Sequence, residues 1–459
     1  MPRPYLILPV ENQVRELDAK ILLACVAAQQ GYASIIGWRG LVDARIGRFP
    51  PSVYLAKSVS RENTKMFRIN RKLGHTIIAW DEEAVVHYPA QVYYARRIGT
   101  EALKLIDVFI AWGDDNRELL QAHPNFDTED IRVLSNPRAD LLRQDMSSFF
   151  DQDAAKITRE HGDFILVNTN FGSVNGYADR LNLVRNGGRN ASESALGRGA
   201  SGMPPDYARG LFDYRKQVMQ AFEKLLPRIA QAFPDTRVVL RPHPAENHTL
   251  WRNNFSHISN VHVLADGNVI PWLLAARCLV HNGCTTAVEG SLLGTPIISF
   301  VPIDDPRYEI ELPNKLGRRA LSIEAVLDHI SAAYTGIRTR CIPPEAHALL
   351  SRYIRPMDET LAAEKIVDVI SEQVNLANPT TTSNRLIGFA RAEFRSATKR
   401  IQSVVGVARY SRGFVRQRFP EISLTKMQDK ADRLTTLIKG KHPLVVSARE
   451  PDLFAISQR

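Results

Sequence analysis

The strongest constraint on the fold is a rhythm of short apolar runs and longer helical segments that occurs twice along the chain. In the first 145 residues the runs span 5–8, 33–38, 53–56, 76–80, 108–112 and 131–134. The rhythm restarts at Asp163, where the runs span 164–168, 237–241, 261–264, 278–281 and 296–300. Strands alternating with helices are typical of a parallel sheet covered by helices on both faces. We therefore predict an α/β protein with two Rossmann-like, doubly wound domains, at 1–145 and 160–375.

Two doubly wound domains in tandem are expected to face each other across a cleft at the C-terminal edges of their sheets, which is where such folds bind ligands. The length of 459 residues and the 44% of hydrophobic residues suit two or three compact units and exclude a mainly disordered chain. No GxGxxG directly follows the first run of either half, and neither GxxxxGKS nor GxxxxGKT occurs. These absences disfavour an NAD dehydrogenase and a P-loop ATPase.

The excess of positive charge lies at the end of the sequence. Lys and Arg number 59 against 49 Asp and Glu, and residues 380–459 hold 16 of the first group and 6 of the second. The preceding 379 residues are therefore neutral overall, and the field that attracts a polyanion belongs to the tail alone. We predict no nucleic-acid partner.

Within the tail, a helix drawn at about 100° per residue separates an apolar side from a basic side. The apolar side contains Phe394, Ala397, Ile401, Val404, Val405, Ala408 and Val415, and the basic side contains Arg391, Arg395, Lys399, Arg409, Arg412 and Arg416. We predict a basic amphipathic helical tail at 380–459 that lies on the anionic inner membrane surface or on a partner. Packing of the same helix on its own protein is the alternative.

Hydropathy and cysteine content indicate where the protein works. The mean hydropathy is −0.20, and no apolar run approaches the roughly 18 to 20 residues that cross a bilayer. The N-terminal apolar stretch is too short for a signal peptide. The four cysteines show no CxxC spacing, which fits a reducing compartment and argues against structural zinc; they are Cys25, Cys278, Cys284 and Cys341. We predict a cytoplasmic protein, peripheral on the inner face of the membrane, with no metal site.

One local pattern, VVLRPHPAENHTLW, places a histidine at the end of a predicted strand. Pro242 and Pro244 hold the chain extended as it leaves the sheet, so His243 is fixed at the sheet edge. An imidazole there can donate to a phosphate, and Arg241 supplies a planar cation beside it. The alternative is a structural histidine whose hydrogen bonds are satisfied within the fold.

A second pattern, CLVHNGCTTAVEGSLLGTPIISF, predicts a strand, a glycine turn and a helix that begins at Thr285 and Thr286. The N–H groups, the dipole and the two hydroxyls at such a helix start form an anion site that suits a monophosphate or a diphosphate. Glu289, on the following turn, is placed to accept hydrogen bonds from ribose hydroxyls. An ordinary helix cap with a surface glutamate is the alternative.

Together these two patterns resemble the nucleotide-binding half of GT-B glycosyltransferases, in particular the bacterial surface-polysaccharide group that includes capsular Kdo transferases and polysialyltransferases. The resemblance covers about residues 3–370 and leaves out the tail. It implies a GT-B fold. His243 and Pro244 match the family's HP motif, which implies that they hold the donor phosphate, and Thr285 and Thr286 match its Ser/Thr pair.

The same family carries an acidic pair followed by glycine on the other domain. In this sequence AWDEEAVVHY places Asp81, Glu82 and Glu83 after the run 76–80, and Ala84 replaces the glycine. A carboxylate at this edge can deprotonate an acceptor hydroxyl, or attack the anomeric carbon if configuration is retained. We favour Glu82 as the catalytic carboxylate, with the two neighbouring acids as further candidates. A solvated acidic turn is the alternative.

Two further segments supply candidates at strand ends of the first domain. In VLSNPRADLL, Asp140 is another candidate catalytic carboxylate and Arg138 a candidate for acceptor binding. In ENQVRELDAK, Glu11 and Arg15 are candidates for acceptor binding, with an exposed ion-pair face as the alternative.

The first strand of the second domain is followed by VNTNFGSVNG, a loop that can approach the donor phosphate. Its candidate donor-binding residues are Asn170, Gly172 and Ser173.

These candidates combine in one predicted reaction. The resemblance implies a metal-independent glycosyltransferase that moves Kdo or another nonulosonic acid from a CMP-activated donor, such as CMP-Kdo, to a glycan acceptor. The acceptor is a surface polysaccharide of capsule or lipopolysaccharide, or a lipid-linked glycan. The nucleotide sugar is a substrate, so no cofactor is predicted. Three alternatives stay open: a polyol-phosphate transferase, a nucleotide-sugar epimerase on the same fold, and a noncatalytic scaffold of polysaccharide assembly.

Overall fold

The computed structural model describes residues 4–124, 126, 130–185, 195–336, 342–355, 360–376, 380–404, 415, 416 and 418–459. The strands are β1 (Leu6–Val10), β2 (Ser34–Trp38), β3 (Val53–Ala56), β4 (Thr76–Ala79), β5 (Val108–Ala111), β6 (Ile131–Val133), β7 (Phe164–Asn168), β8 (Arg237–Arg241), β9 (Val261–Val263), β10 (Cys278–His281), β11 (Ile297–Phe300), β12 (Arg318–Ala320), β13 (Leu444–Glu450) and β14 (Leu453–Gln458).

The α-helices between these strands are α1 (Gln13–Gln29), α2 (Arg39–Arg45), α3 (Thr64–Leu73), α4 (Ala90–Arg97), α5 (Thr100–Leu103), α6 (Asp114–Gln121), α7 (Pro137–Asp140), α8 (Asp151–His161), α9 (Pro205–Ala232), α10 (His248–Phe255), α11 (Val269–Ala275), α12 (Thr286–Leu292), α13 (Glu311–Lys315), α14 (Ile323–Thr335), α15 (Pro344–Tyr353), α16 (Ala362–Leu376), α17 (Thr382–Val404) and α18 (Leu424–Leu437). In the part of the chain that is described, no helix is both long enough and apolar enough to span a bilayer.

The chain divides into two compact units. Unit 1 contains Met1–Val85, Arg97–Phe149 and Ser351–Arg459, and unit 2 contains Val86–Arg96 and Phe150–Leu350. Unit 1 is therefore discontinuous, with unit 2 inserted between its segments. The sequence predicted limits of 1–145 and 160–375 and a separate tail from 380. The limits differ because the chain after residue 350 returns to unit 1.

Unit 1 is built on an eight-stranded sheet in the order β13-β14-β2-β1-β3-β4-β5-β6. Strands β1 to β6 are mutually parallel. Four of them are aliphatic-rich and fully buried, as expected for a sheet covered on both faces. The chain order reverses between β1 and β3, so the connections leave these strands in opposite directions and open a crevice at their carboxyl ends. The predicted parallel α/β architecture is confirmed for this unit.

The C-terminal segment completes unit 1 with two strands as well as helices, which corrects the prediction of a basic amphipathic helical tail at 380–459. β14 pairs antiparallel with β2, and β13 pairs antiparallel with β14. The strands approach so closely that a Cβ atom on Gly37 would lie 2.2 Å from the Asp452 carbonyl oxygen. Helices α17 and α18 pack against α3 and α1. Of the predicted amphipathic helix, Val405, Ala408, Arg409 and Arg412 lie outside the described residues.

Unit 2 contains a six-stranded, all-parallel sheet in the order β12-β11-β10-β7-β8-β9. This is the strand order of dinucleotide-binding Rossmann folds, with the reversal between β7 and β10. On one face, Val218 and Phe222 of α9 pack in a core with Val167 of β7. On the other face, α12 packs through Gly290, where a Cβ atom would lie 3.1 Å from the Ile297 side chain. The second predicted doubly wound unit is thus confirmed.

Candidate functional site

The candidate donor site of unit 2 lies where the chain order of its sheet reverses, at the carboxyl ends of β7 and β10. Two hydrogen bonds join the loops after these strands: Asn168 Nδ2 donates to Thr286 Oγ1 over 3.1 Å, and Asn170 Nδ2 donates to the Gly283 carbonyl over 3.2 Å. Asn168 Oδ1 and Ser173 Oγ are buried and have no hydrogen-bond partner among the described residues. Because buried polar atoms normally find a partner, this edge suits a polar ligand or ordered water.

His243 follows β8 and is half-buried, with Pro244 exposed beside it. The Ala245 backbone N–H donates to His243 Nδ1 over 3.1 Å. In the neutral ring the proton therefore sits on Nε2, which can donate to a ligand oxygen. Gly172 lies against this turn, since a Cβ atom on it would be 3.1 Å from the Ala245 Cβ. The phosphate-binding roles of His243, Pro244 and Gly172 stay predictions. The His243 tautomer, with its proton on Nε2, is consistent with them.

Glu246, which the sequence analysis did not select, holds this edge together. Its buried Oε1 accepts hydrogen bonds from the Thr169 hydroxyl at 2.8 Å and from the N–H groups of Phe171 and His243 at 3.0 Å each. Its Oε2 accepts from Trp251 Nε1 at 2.8 Å. Burial raises the pKa of Glu246, and these donors oppose the shift. Glu246 is therefore a positioning residue for His243, and its only sequence signal is a glutamate in the turn before a helix.

Arg241 does not have the predicted role. Its Nη1 donates to the Asp266 carbonyl over 2.9 Å, its Nη2 donates to the Gly267 carbonyl over 3.1 Å, and its guanidinium lies 4.8 Å from the Trp272 ring centroid. Burial lowers the pKa of Arg241 to about 10. The side chain is committed to the loop before α11, so the prediction that it neutralises the donor phosphate is corrected. The sequence places this residue at the strand end but does not give the direction of its side chain.

The buried cation beside the β7 loop is instead Arg215, on α9. The residue is 7% exposed, its Nη1 donates to the Asn170 carbonyl over 2.7 Å, and its Nε has no hydrogen-bond partner in the described part of the chain. No carboxylate of the described residues forms an ion pair with it. A buried charge without a counter-ion is unfavourable, so this position suits a phosphate or another anion.

The helix start predicted to bind an anion belongs to α12, which has seven residues. Its dipole is therefore weaker than that of a long helix. The turn before it is fixed, because the Gly283 N–H donates to Asn314 Oδ1 over 2.7 Å and Gly283 has a φ of 54°, which favours glycine. The donor-binding roles of the three predicted residues at this helix stay predictions: Thr285, Thr286 and Glu289.

The predicted acidic turn after β4 lies at the carboxyl edge of the sheet of unit 1. Asp81 accepts from Arg97 Nε over 3.0 Å and also from Arg97 Nη2. Glu83 pairs with Arg15 over 2.8 Å. Burial acts to raise the pKa of Glu83, but Arg15, Arg97 and Arg138 outweigh it and lower that pKa. Arginines therefore neutralise two of the three predicted carboxylates.

Glu82 differs from its two acidic neighbours. Its Oε1 accepts from Trp80 Nε1 over 2.9 Å and lies 3.7 Å from Lys20 Nζ, while its Oε2 lies 3.6 Å from Arg138 Nη1. Glu82 Oε2 is buried and accepts no hydrogen bond from any described residue. A buried carboxylate oxygen in this state can receive a hydrogen bond from a ligand hydroxyl. The geometry thus favours Glu82 within the acidic turn, and its catalytic role stays a prediction.

A chain of alternating charges, which the sequence analysis missed, continues from this turn to the reversal point of the sheet. Lys20 Nζ donates to Glu16 Oε2 over 2.9 Å and to the Pro9 carbonyl over 2.6 Å. Lys57 Nζ lies 3.2 Å from Glu16 Oε1 and 3.0 Å from Glu11 Oε2. Glu11 follows β1 and Lys57 follows β3, so the two residues flank the crevice between these strands. Glu11 is therefore part of an ion-pair network, and its predicted acceptor role stays a prediction.

Acid is expected to lower the free energy of unfolding through protonation of Glu11. Burial acts to raise the pKa of Glu11, but Lys57 and Arg39 outweigh it and lower the pKa to about 2. The unfolded value is about 4.3, so the stability contributed by this carboxylate is present above the unfolded pKa and lost as pH falls through the folded pKa. We expect urea midpoints, followed by circular dichroism, to fall between about pH 5 and pH 2, and to fall less steeply in Glu11→Gln. Identical slopes for the two proteins would contradict this expectation.

Asp140 has a structural role that corrects its prediction as a catalytic carboxylate. Its Oδ1 and Oδ2 accept the N–H groups of Ala362 and Ala363, at 2.9 Å each, at the start of α16. Burial raises the pKa of Asp140 to about 6, although these two N–H groups oppose the shift. Both oxygens are occupied in capping a helix, which satisfies donors that a helix start otherwise leaves unpaired.

The remaining candidates for chemistry are metal-ligating side chains and cysteine thiols. The described residues contain no group of three or more His, Cys, Asp or Glu side chains that could hold a metal ion. Cys25, Cys278 and Cys284 are buried, and Cys341 lies outside the described residues. Burial raises the pKa of Cys25 to about 12, so this thiol is a poor nucleophile near neutral pH.

Comparisons with known proteins find similarity among solved structures only. No protein-family model and no curated protein matches the chain. The wall teichoic acid polymerase TagF, as a variant soaked with CDPG, shares 10% identity at a TM-score of 0.47, over 82% of this chain and 89% of that one. UDP-GlcNAc 2-epimerase of Methanocaldococcus jannaschii shares 9% identity at a TM-score of 0.48, over 80% of this chain and 99% of that one. UDP-N-acetylglucosamine 2-epimerase from Rickettsia bellii shares 12% identity at a TM-score of 0.45, over 83% of this chain and 99% of that one. TM-scores below 0.5 do not carry a function from one chain to another.

Proposed function

We propose that this protein transfers the sugar of a nucleotide-activated donor to a hydroxyl acceptor. In this scheme unit 2 binds the donor phosphate and unit 1 supplies the catalytic carboxylate. The observation that carries the proposal is the buried guanidinium of Arg215, which has no counter-ion among the described residues. It lies beside the loop after β7, at the sheet reversal where Rossmann folds bind nucleotides.

The donor side provides positive charge and hydrogen bonds for a leaving phosphate. Arg215 and His243 Nε2 offset the negative charge that grows on the phosphate as the bond to the sugar breaks. Glu246 keeps the histidine in place through the His243 N–H. Asn170 and the Thr286 hydroxyl complete the proposed phosphate contacts.

The acceptor side provides a base. Glu82 Oε2 takes the proton of the acceptor hydroxyl, whose oxygen then forms a bond to the anomeric carbon. The bond between that carbon and the phosphate oxygen breaks, and the nucleotide leaves with the bonding electrons as a phosphate. A positioned general base contributes about 10²- to 10⁴-fold to such a rate. Asp81 and Glu83 are less suited to this step, because both carboxylate oxygens of each already accept hydrogen bonds from an arginine.

The finer assignment rests on the resemblance of the RPHP and HNGCTT segments to capsular Kdo transferases and polysialyltransferases. We propose CMP-Kdo or a related CMP-linked nonulosonic acid as the donor. We propose a capsular, lipopolysaccharide or lipid-linked glycan as the acceptor. These assignments make the protein an enzyme of surface-polysaccharide assembly that needs no cofactor besides its substrates.

Removal of the His243 imidazole is expected to abolish stabilisation by nucleotides. Melting temperatures are measured with CMP, CDP, UDP or GDP. The full chain is used, because β13 and β14 complete the sheet of unit 1 and a truncated chain would lack them. CMP is expected to raise the melting temperature of the wild type according to its affinity. The increase is expected to vanish in His243→Ala and to persist in His257→Ala, an exposed histidine of the same unit. Indifference of the wild type to all four nucleotides would count against the proposal.

Glu82→Gln separates binding from chemistry. This variant is expected to keep its response to CMP and to lose at least about a hundredfold of the transfer rate, measured as acceptor-dependent release of CMP. An acceptor mass increased by a phosphorylated polyol would favour a polyol-phosphate transferase. Turnover of the donor without an acceptor would favour an epimerase. Unchanged polymer production after His243→Ala would favour a noncatalytic scaffold.

A further inference from the structure

Exposed large hydrophobic side chains of the described residues concentrate on one helix, α17. Of eight such side chains, five belong to this helix: Leu386, Ile387, Phe389, Phe394 and Ile401. Phe394 is 77% exposed and Ile401 is 64% exposed. Single exposed apolar residues are ordinary, but a cluster of them on one element marks an interaction surface.

The fold of unit 1 uses a different face of α17. Ala392 and Ser396 are buried. Gly388 packs so closely on α3 that a Cβ atom there would lie 3.0 Å from the Leu73 Cγ. The packed face therefore consists of small residues, which let the two helices approach closely. Burial against α3 does not require the large apolar residues.

Three of the exposed residues form a line along the opposite face. Ile387, Phe394 and Ile401 follow one another at intervals of seven residues, which at about 100° per residue keeps them on one side of the helix. Ala390 and Ala397 lie between them and are also exposed. We call these five residues the apolar stripe. The described residues of unit 1 leave the apolar stripe uncovered.

Basic residues surround the apolar stripe. Arg391 and Arg400 are exposed and lie on either side of it on the helix. Helix α17 carries five basic side chains against one acidic side chain, Glu393; the basic ones are Arg385, Arg391, Arg395, Lys399 and Arg400. A protein partner that covers an apolar patch typically meets few charges at its centre, whereas an anionic bilayer accepts apolar side chains and basic side chains together.

We propose that α17 docks unit 1 on an anionic lipid bilayer. The apolar stripe enters the boundary between headgroups and acyl chains, and Arg391 and Arg400 remain among the lipid phosphates. The helix lies in the plane of the surface, because its other face is already packed on α3. The sequence analysis assigned membrane contact to a separate tail. Here the contact surface is instead one helix, α17, which is packed on unit 1. The proposal does not depend on the proposed transferase activity.

The test is flotation of the full chain with vesicles of phosphatidylcholine that contain about 30% phosphatidylglycerol, compared with pure phosphatidylcholine. The wild type is expected to float with the anionic vesicles only, and less so as salt rises from about 0.1 M to about 0.5 M. Phe394→Ser/Ile401→Ser is expected to weaken partitioning by at least about tenfold. Arg391→Gln/Arg400→Gln is expected to weaken it by about fivefold per residue. The matched control Leu321→Ser/Leu424→Ser changes two exposed leucines elsewhere and is expected to bind like the wild type.

Melting temperatures confirm that the variants fold, since all the altered side chains are exposed. The proposal would be overturned if Phe394→Ser/Ile401→Ser partitioned into anionic vesicles as strongly as the wild type. It would also be overturned if the wild type did not float with anionic vesicles. Light scattering after gel filtration gives a further arm. If the wild type is a dimer and Phe394→Ser/Ile401→Ser is a monomer, the proposal is overturned, because the apolar stripe then binds a second copy of this chain.

Discussion

Replacing Arg215 with methionine is expected to weaken nucleotide binding by about tenfold to a hundredfold while leaving the unliganded protein at least as stable as the wild type. Hydrogen bonds to a charged group contribute about 1.5–3 kcal/mol each, so their loss accounts for the weaker binding. The variant also removes a buried charge that has no counter-ion in the described residues, which offsets the lost hydrogen bond to the Asn170 carbonyl. Calorimetric titration of CMP and a melting curve without ligand measure the two quantities.

Two controls make this result specific to the buried guanidinium. Arg209→Met changes an exposed arginine of the same helix, which pairs with Asp206 at 3.8 Å, and is expected to alter neither quantity. Arg215→Lys keeps the charge without the planar donors and is expected to bind CMP with intermediate affinity. A less stable Arg215→Met protein with unchanged affinity would show that the arginine serves the fold and not a ligand.

Lys20→Met is expected to reduce the free energy of unfolding by about 3–5 kcal/mol, because it removes the buried cation that lies close to the carboxylates of both Glu16 and Glu82. Lys20 is 1% exposed, contacts Glu16 at 2.9 Å and lies 3.7 Å from Glu82. Methionine has a similar length, so the change removes the charge with little change in packing. Urea titration followed by circular dichroism measures the difference.

The control for this variant is Lys156→Met, which breaks an exposed pair with Glu160 at 3.8 Å and is expected to change stability by less than about 0.5 kcal/mol. The double variant Lys20→Met/Glu16→Gln is expected to recover part of the loss, since one of the two carboxylates that Lys20 lies close to is then neutral. A loss below about 1 kcal/mol in Lys20→Met would mean that water or Lys57 compensates for the missing cation.

The apolar rhythm of the sequence predicts the strands that lie deep in each sheet. β7 and β8 occupy the predicted runs 164–168 and 237–241, because fully buried parallel strands need continuous aliphatic sequence. β12 was not predicted, since its three residues, Arg318–Ala320, show no hydrophobic pattern. β13 and β14 were missed because the excess of basic residues favoured a helical tail. Their alternation is weak, and their place in the sheet depends on pairing of β14 with the distant strand β2 and of β13 with β14.

The candidate site was predictable where chemistry follows directly from a strand end. His243 and the acidic turn at Glu82 lie at the sheet edges that the sequence assigned to them. Arg215 and Lys20 were not predictable, since a basic residue on an amphipathic helix normally points to solvent, and only packing between elements shows that these two are buried. Arg241 shows the converse error: its position was right, but its side chain turns away toward Asp266 and Gly267.

The pairing of Leu453 with Gly37 joins two segments from nearly opposite ends of the chain. During synthesis, the first strands of unit 1 emerge long before the hairpin that covers the edge of β2. An unpaired strand edge is a template for pairing between molecules, and contacts of such long sequence separation form slowly. Unit 2 is nearly continuous and can fold in the meantime. Newly made chains are therefore expected to pass through a period of vulnerability to aggregation that ends only when the final hairpin docks.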